Sequence, residues 1–219
     1  MPPRAYNSET RKQQQAGLRA RIAAAAAQLH AEKGVLGTTY SDIALRAGVS
    51  LPTVYNHFPT RDHLIPACTA HVASRAPALP VELILSAGNL DSSAAAMVDA
   101  VERLHAYAEP WASWGESRLV PALKEVMDAR RKRLADVVGQ LLELHLGPGD
   151  HRDTIAIWES LLSFDMWHRL ARDHKMPRAT VRRALHQLLL AGAGSWPAAS
   201  PSRPAPRKSK CSPSPPRST

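Results

Sequence analysis

The chain has 219 residues, of which 44% are hydrophobic and 21% charged, and a formal net charge of +9. That composition lies close to the globular average and excludes wholesale disorder and a collagen-like fibre. Two cysteines, Cys68 and Cys211, are too few for a disulfide scaffold and point to a reducing compartment.

The charge is unevenly placed. Residues 1–75 carry nine Lys/Arg and four acids, residues 76–194 carry fourteen bases and fifteen acids, and residues 195–219 carry five bases and no acid. Basic ends around a neutral middle suit a nucleic-acid-binding end joined to a domain with another task. Arg19 and Arg21 precede the apolar run from Ile22 to Ala27, which imitates a secretion signal. Gln28, His30, Glu32 and Lys33 interrupt it within a turn, so a helix start is the better reading. No stretch reaches the roughly 18 apolar residues that a bilayer span needs. The expected location is the cytoplasm, with no membrane contact.

In chain order, apolar positions recur at helical spacing almost everywhere and no convincing strand emerges. Residues 1–17 read as a flexible basic arm bearing Arg4, Arg11 and Lys12. Residues 18–33 predict a first helix, stopped by Gly34. Residues 41–47 predict a second, with Ser41 as N-cap and Gly48 as a left-handed stop. Residues 51–58 predict a third, capped by Ser50 and ended by Pro59. Thr60 starts a fourth, running to about residue 76 and containing Pro66, which removes a hydrogen bond. Pro77 and Pro80 then mark a domain boundary. Beyond it, residues 92–109 and a short Trp-bearing segment near 111–119 read as helical. Longer helices follow at 121–146, 150–174 and 177–191, and their short connectors make neighbours antiparallel. From Ser195 onward seven of 25 residues are proline and five are basic, a composition that predicts a disordered tail. The expected fold is therefore all-α: a helix-turn-helix domain at 18–76, a helical ligand-binding and dimerisation domain at 77–194, and a tail at 195–219.

The most specific signal lies between Thr38 and Arg61, TTYSDIALRAGVSLPTVYNHFPTR. Ile43 and Ala47 face one side of the second helix, and Gly48 permits a tight turn. Val49 can fill the angle between the helices, and Val54 and Phe58 point inward from the third. On a helical wheel Pro52 and Asn56 then face away from the core, flanked by Thr53 and Tyr55. A helix, a glycine-containing turn and a helix with a small polar outer face form a helix-turn-helix. Its slim outer face suits a major groove about 12 Å wide.

Residues 18–76 resemble the DNA-binding domain of the TetR family of transcriptional regulators. The resemblance rests on Gly34, Thr38-Thr39, Asp42-Ile43-Ala44, Ala47-Gly48-Val49-Ser50, Thr53-Val54-Tyr55, His57-Phe58 and Leu64. The remaining chain resembles the family by architecture alone. The resemblance implies phosphate contacts from Thr39, Tyr55, His57 and Arg61, the last in the first turn of helix four where free N–H groups favour an anion. It implies base contacts from Tyr40, Leu51, Pro52, Thr53 and Asn56. Proline at position 52 is less common in the family than glycine. Leu51 and Pro52 offer apolar contact suited to a thymine methyl, and Asn56 can pair with adenine. The recognition helix carries no Arg or Lys, so few strong guanine contacts are expected from it.

The resemblance also implies a homodimer, its last two long helices packed against the partner's, and a small-molecule pocket in each helical domain. Trp111, Trp114, Trp158 and Trp167 fall in that domain. The chosen ligand candidates are His105, Trp111, Trp114, Trp158 and Asp165. Asp165 shares a helical face with Trp158, Leu161 and Leu162, although pairing with Arg169 is the plainer reading. Leu185, Leu188 and Leu189, with Leu162, Met166 and Leu170, form the expected dimer seam. The basic run 130–133 reads as an ion-paired surface.

Enzyme motifs are missing. Ten histidines include no H-E-x-x-H, no cysteine pair stands at metal spacing, and there is no G-x-S-x-G or Gly-rich phosphate loop. No cofactor, metal or catalytic residue is expected. The reading is a sequence-specific regulator, a repressor released from a near-palindromic double-stranded DNA operator by a small-molecule effector. Its rival is a ligand-independent, structural or nucleoid-type DNA-binding protein.

Overall fold

A computed structural model describes residues 8–194, and among them the fold is all-helical: ten α-helices and no strand. Arg4 and the tail at 195–219 lie outside the described residues. The first helix, α1, spans Ser8–Lys33. Residues 8–17, expected as part of a loose arm, are thus its first turns. Their run of Glu, Lys, Gln and Ala has good helix propensity and no Pro to break it.

The N-terminal domain packs α1 against α2 (Tyr40–Ala47), α3 (Leu51–His57) and α4 (Arg61–Ala73). Ile22 and the alanines at 23, 25, 26 and 27 are buried against Ile43, Val54, Phe58 and Leu64. Small residues on α1 let the helices approach closely, and Ile22, Val54 and Phe58 are fully buried. The N-cap of α2 is Thr39, not Ser41: its hydroxyl accepts the Asp42 N–H, and the Asp42 carboxylate accepts the Thr39 N–H. Asp42 therefore completes a reciprocal capping box, a role that the Ser41 reading missed. Gly48 takes the left-handed conformation, φ +63°, and Ser50 caps α3 as expected. α4 runs through Pro66, where the Thr69 hydroxyl donates to the Ile65 carbonyl at 2.6 Å.

The second domain comprises α5 (Val81–Leu85), α6 (Leu90–Ala112), α7 (Pro121–Leu146), α8 (Arg152–Leu161), α9 (Phe164–His168) and α10 (Arg178–Gly194). A 3-10 turn at Glu116–Arg118 precedes α7, and a π-helical turn at Arg169–Asp173 follows α9. Its core gathers Met97, Val98, Val138, Leu141, Trp158, Leu162 and Leu189. The helix expected over 150–174 is interrupted. Ser163 is extended and N-caps α9, accepting the Met166 N–H. The helix expected from Ser92 starts at Leu90, capped by the Asn89 side chain. Helix α5 was not foreseen, being a single turn after Pro80.

A third small cluster, Val35, Ile65, Val120 and Ala122 with Leu123, joins the domains. Beside it, His30 is buried, its Nδ1 3.5 Å from Cys68 Sγ. Burial pushes the imidazole down from 6.5 to about 4, against the pull of Glu116 and with the push of Arg61. Burial likewise pushes the Cys68 thiol up to about 12, so it is an unreactive structural group. Between pH 6.5 and 4 the unfolded chain binds a proton at His30 that the folded chain does not. Stability therefore rises with pH across that window and falls on acidification. We expect denaturant midpoints to drop between pH 6.5 and 4 and the drop to shrink in His30→Gln. An unchanged slope in the variant would place the effect on other groups.

Candidate DNA-binding interface and ligand region

The recognition surface is built on α3. Val54 and Phe58 anchor it in the core, which leaves Leu51, Pro52, Tyr55 and Asn56 exposed and Thr53 and His57 half-buried. The expected outer face is therefore the one turned to solvent. The Thr53 and Ser50 hydroxyls lie 2.7 Å apart, and the Thr53 N–H donates to Ser50 Oγ. Arg19 on α1 fixes the other end of α3. Its guanidinium donates to the His57 carbonyl at 2.7 Å and stacks 4.2 Å from the centre of the Phe58 ring. A cation there also suits the negative end of the helix dipole. Arg61 is exposed in the first turn of α4.

Two expected contacts have other employment. The Thr39 hydroxyl donates to Asp42 Oδ2 at 2.7 Å while accepting the Asp42 N–H, so its proton is committed within the cap. Lys33 also donates to that Asp42 oxygen, and holds the carboxyl well below its ordinary range. The Tyr40 hydroxyl is buried without a hydrogen-bond partner, so it is not presented to a base edge. Burial raises its pKa, with the neighbouring Tyr55 adding to the effect. The Tyr40 and Tyr55 rings lie 4.8 Å apart. Tyr40 thus packs against Tyr55 with its hydroxyl turned away from solvent.

The five ligand candidates do not converge. Trp158 is fully buried, and its indole N–H donates to the Leu189 carbonyl; it ties α8 to α10. Asp165 is exposed. The break at Leu162–Ser163 removes it from the Trp158 face that a continuous helix would have given it. Trp111 donates to the Ala27 carbonyl at 2.7 Å, and Trp114, 45% exposed, donates to the Ala31 carbonyl at 3.3 Å. Both belong to the junction between domains. Of the five, His105 lines a cavity of about 10 Å³, together with Glu102, Ser163, Trp167 and apolar neighbours. That volume is at the threshold for one water. The dimer seam also needs revision. Leu162, Leu185 and Leu189 are buried inside the chain's own core, whereas Leu188 is 50% exposed.

Sequence reasoning missed the junction itself. Tyr107 donates to the Val72 carbonyl at 2.9 Å. Glu116 accepts the N–H groups of Val35 at 2.5 Å and Leu36 at 2.9 Å. With Trp111 and Trp114, these residues place four side chains from one short segment on the backbone of the DNA-binding domain. No local motif marks them, because their partners are 35 to 84 residues away. The run at 130–133 behaves as expected at Arg131, which pairs with Asp128 and Glu159. Among the described residues no helix is long and apolar enough to cross a membrane, and no group of His, Cys, Asp or Glu could hold a metal ion.

Residues 22–68 match the family model for bacterial regulatory proteins of the tetR family. No curated protein matches the chain. Solved structures do. A transcriptional regulator from Rhodococcus sp. Rha1 shares 20% identity at a TM-score of 0.59, over 82% of this chain and 99% of that one. A proposed transcriptional regulator from Pseudomonas aeruginosa PAO1 shares 19% identity at 0.60, over 80% of this chain and 90% of that one. The multidrug binding protein EbrR, solved with imidazole, shares 19% identity at 0.53, over 83% and 97%. At such identities the structural likeness speaks to the fold alone, and the likeness to the family is confined to the matched segment. Residues 22–68 are therefore similar to the helix-turn-helix segment of bacterial regulatory proteins of the tetR family.

Proposed function

We propose that the protein is a cytoplasmic homodimeric repressor, without enzymatic activity, that a small molecule releases from a near-palindromic operator. The observation that carries this reading is the junction. Glu116, Trp114, Trp111 and Tyr107 grip the α1 and α4 backbones, so a change in the helical domain must move or strain the DNA-binding domain. EbrR, with the same fold, has been solved with imidazole, which supports a ligand for this helical domain too. The small size of the cavity at His105 favours the rival, a ligand-independent structural DNA-binding protein. The dimer would bring Leu188 and the exposed side of α10 together, because the buried leucines of that helix are already used.

Docking follows from the exposed face of α3. Tyr55, His57 and Arg61 serve phosphates, and Leu51, Pro52, Thr53 and Asn56 serve base edges. Thr39 acts first as a cap, and Tyr40 acts through Tyr55. Two copies of α3 enter successive major grooves about 34–36 Å apart.

Selection of binding sites from random double-stranded DNA at near-physiological salt tests the reading directly. A near-palindrome with half-sites about one helical turn apart is expected. Binding without enriched sequence, lost as salt rises, would instead establish the structural rival.

Two substitutions separate the roles on α3. Tyr55→Phe is expected to weaken binding to all sequences alike by several-fold, and Thr53→Ala to change the preferred base, by about 1–3 kcal/mol at the position concerned. Wild-type binding by both, in fluorescence anisotropy with the selected operator, would refute this docking.

The junction makes its own prediction. Glu116→Gln keeps the shape but loses the charge that holds Val35 and Leu36. Effector and operator affinities should then be less coupled, and by linkage the loss must be equal measured from either side. Full coupling retained in the variant would remove Glu116 from the transmission route.

A further inference from the structure

We infer that the effector is a small, uncharged, flat aromatic molecule bearing a hydroxyl, held between Trp167 and His105 in the helical domain. This inference rests on the reading of the protein as a ligand-released regulator. It starts from a polar group that the fold leaves unsatisfied. The Trp167 side chain is 2% exposed, and its indole N–H is buried without any hydrogen-bond partner. A buried unpaired donor is costly, and nearly all such groups in native proteins are paired. Trp158 makes the contrast within the same domain: equally buried, it donates to the Leu189 carbonyl at 3.0 Å.

The surroundings define what would pair with Trp167. It lines the cavity shared with His105, Glu102 and Ser163. His105 Nε2 lies 2.8 Å from the Leu162 carbonyl. A carbonyl only accepts, so Nε2 carries the hydrogen, and in the neutral ring Nδ1 is an acceptor. Burial favours that neutral form, and Nδ1 has no hydrogen-bond partner among the described residues. The two residues that line the cavity therefore hold one free donor and one free acceptor between them, and a single hydroxyl answers both. The rings of His105, Phe164 and Trp167 lie 5.7–5.8 Å apart in tilted and edge-on arrangements, an environment that accommodates a further ring.

Charge selects a neutral guest. Glu102 is 2% exposed, and alone it would call for a cation. It is already met by Arg178 at 2.6 Å and by Arg182 at 3.6 Å. A ligand cation would compete with two arginines, and a ligand anion would face the Glu102 carboxylate. The present volume of about 10 Å³ is too small for a ring, so the site must open. Its wall contains a natural point of opening, the helix break at Leu162–Ser163 ahead of α9, and a π-helical turn follows α9.

The probes are phenol, anisole, toluene, benzoate and benzylammonium, added singly to the full-length protein without DNA. Binding is read by calorimetry and by the indole N–H resonances in nitrogen-15 NMR. Phenol should bind best, at least tenfold more tightly than toluene, with anisole between them and both ions weaker than phenol. The Trp167 indole resonance should move with phenol. Trp167→Phe, which keeps a ring and removes the donor, should reduce phenol affinity by about tenfold toward that of anisole or toluene. Its melting temperature checks that it folds, and the probe series in the wild-type chain needs no variant at all. Equal binding of toluene and phenol, preference for either ion, no binding of any probe, or a Trp167 resonance that stays fixed would each overturn the inference. Operator release is measured separately. Phenol bound without release would leave the site standing and defeat the ligand-release reading. Release by a compound that leaves the Trp167 resonance unmoved would do the reverse.

Discussion

One carboxylate lies at the centre of the contact between the two domains. Glu116 takes the N–H groups of Val35 and Leu36, just past the end of α1, in charge-assisted bonds that are typically worth roughly 1.5–3 kcal/mol each. Everything near that contact is shaped to allow it. Gly34 has φ +75°, which favours glycine, and a Cβ there would come within 2.6 Å of the Glu116 carboxylate and push it from its partners. In a continuing helix the Val35 N–H would go to the Ala31 carbonyl. Glu116 takes that donor, and the Trp114 indole supplies a replacement at Ala31. The apolar cluster of Val35, Ile65, Val120 and Ala122 shields the same region from water, which strengthens its hydrogen bonds.

The parts of this molecule that were legible in sequence are those governed by neighbours in the chain. Gly48, Ser50 and the spacing of Val54 and Phe58 specify the turn and the inward face of α3 within ten residues. The outer face follows by elimination. Where the cap of α2 is Thr39 and not the expected Ser41, the deciding fact was still local. Thr39 has an acid three residues on, and Ser41 does not. The break in the expected helix at 150–174 also had a local sign, since Ser163 followed by Asp165 is a helix-start pattern. An uninterrupted apolar periodicity on both sides concealed it.

The ligand region was not legible, for a different reason. Tryptophans serve cores, junctions and pockets with the same chemistry, and the four here do at least two of those jobs. Trp158 fills the core and Trp111 and Trp114 join domains, while Trp167 alone keeps an unspent donor. Only the position of each indole nitrogen relative to a distant backbone separates them. Asp165 fails as a pocket residue because the helix it was placed on is two helices. The dimer seam fails in part likewise: Leu185 and Leu189 read as an edge until α6 and α8 are known to cover them.

These long-range contacts converge on α6, which has two working sides. Glu102, His105 and Glu109 reach Arg178, the Leu162 carbonyl and Arg172, all in the segment from α8 to α10. Tyr107 and Trp111 reach the α4 and α1 backbones. His105 and Trp111 are six residues apart, about 9 Å along a helix. A guest that parts Trp167 from His105 therefore acts on the rod that grips the DNA-binding domain less than two turns away. The rod also leads into the turn that bears Glu116. α6 is continuous from His105 to Trp111, with Pro110 removing one of its internal hydrogen bonds between them. Displacing α6 at His105 thus strains Tyr107, Trp111 and, through the turn, Glu116 together. In the proposed ligand-released regulator, that shared strain would be the physical content of coupling between the two sites.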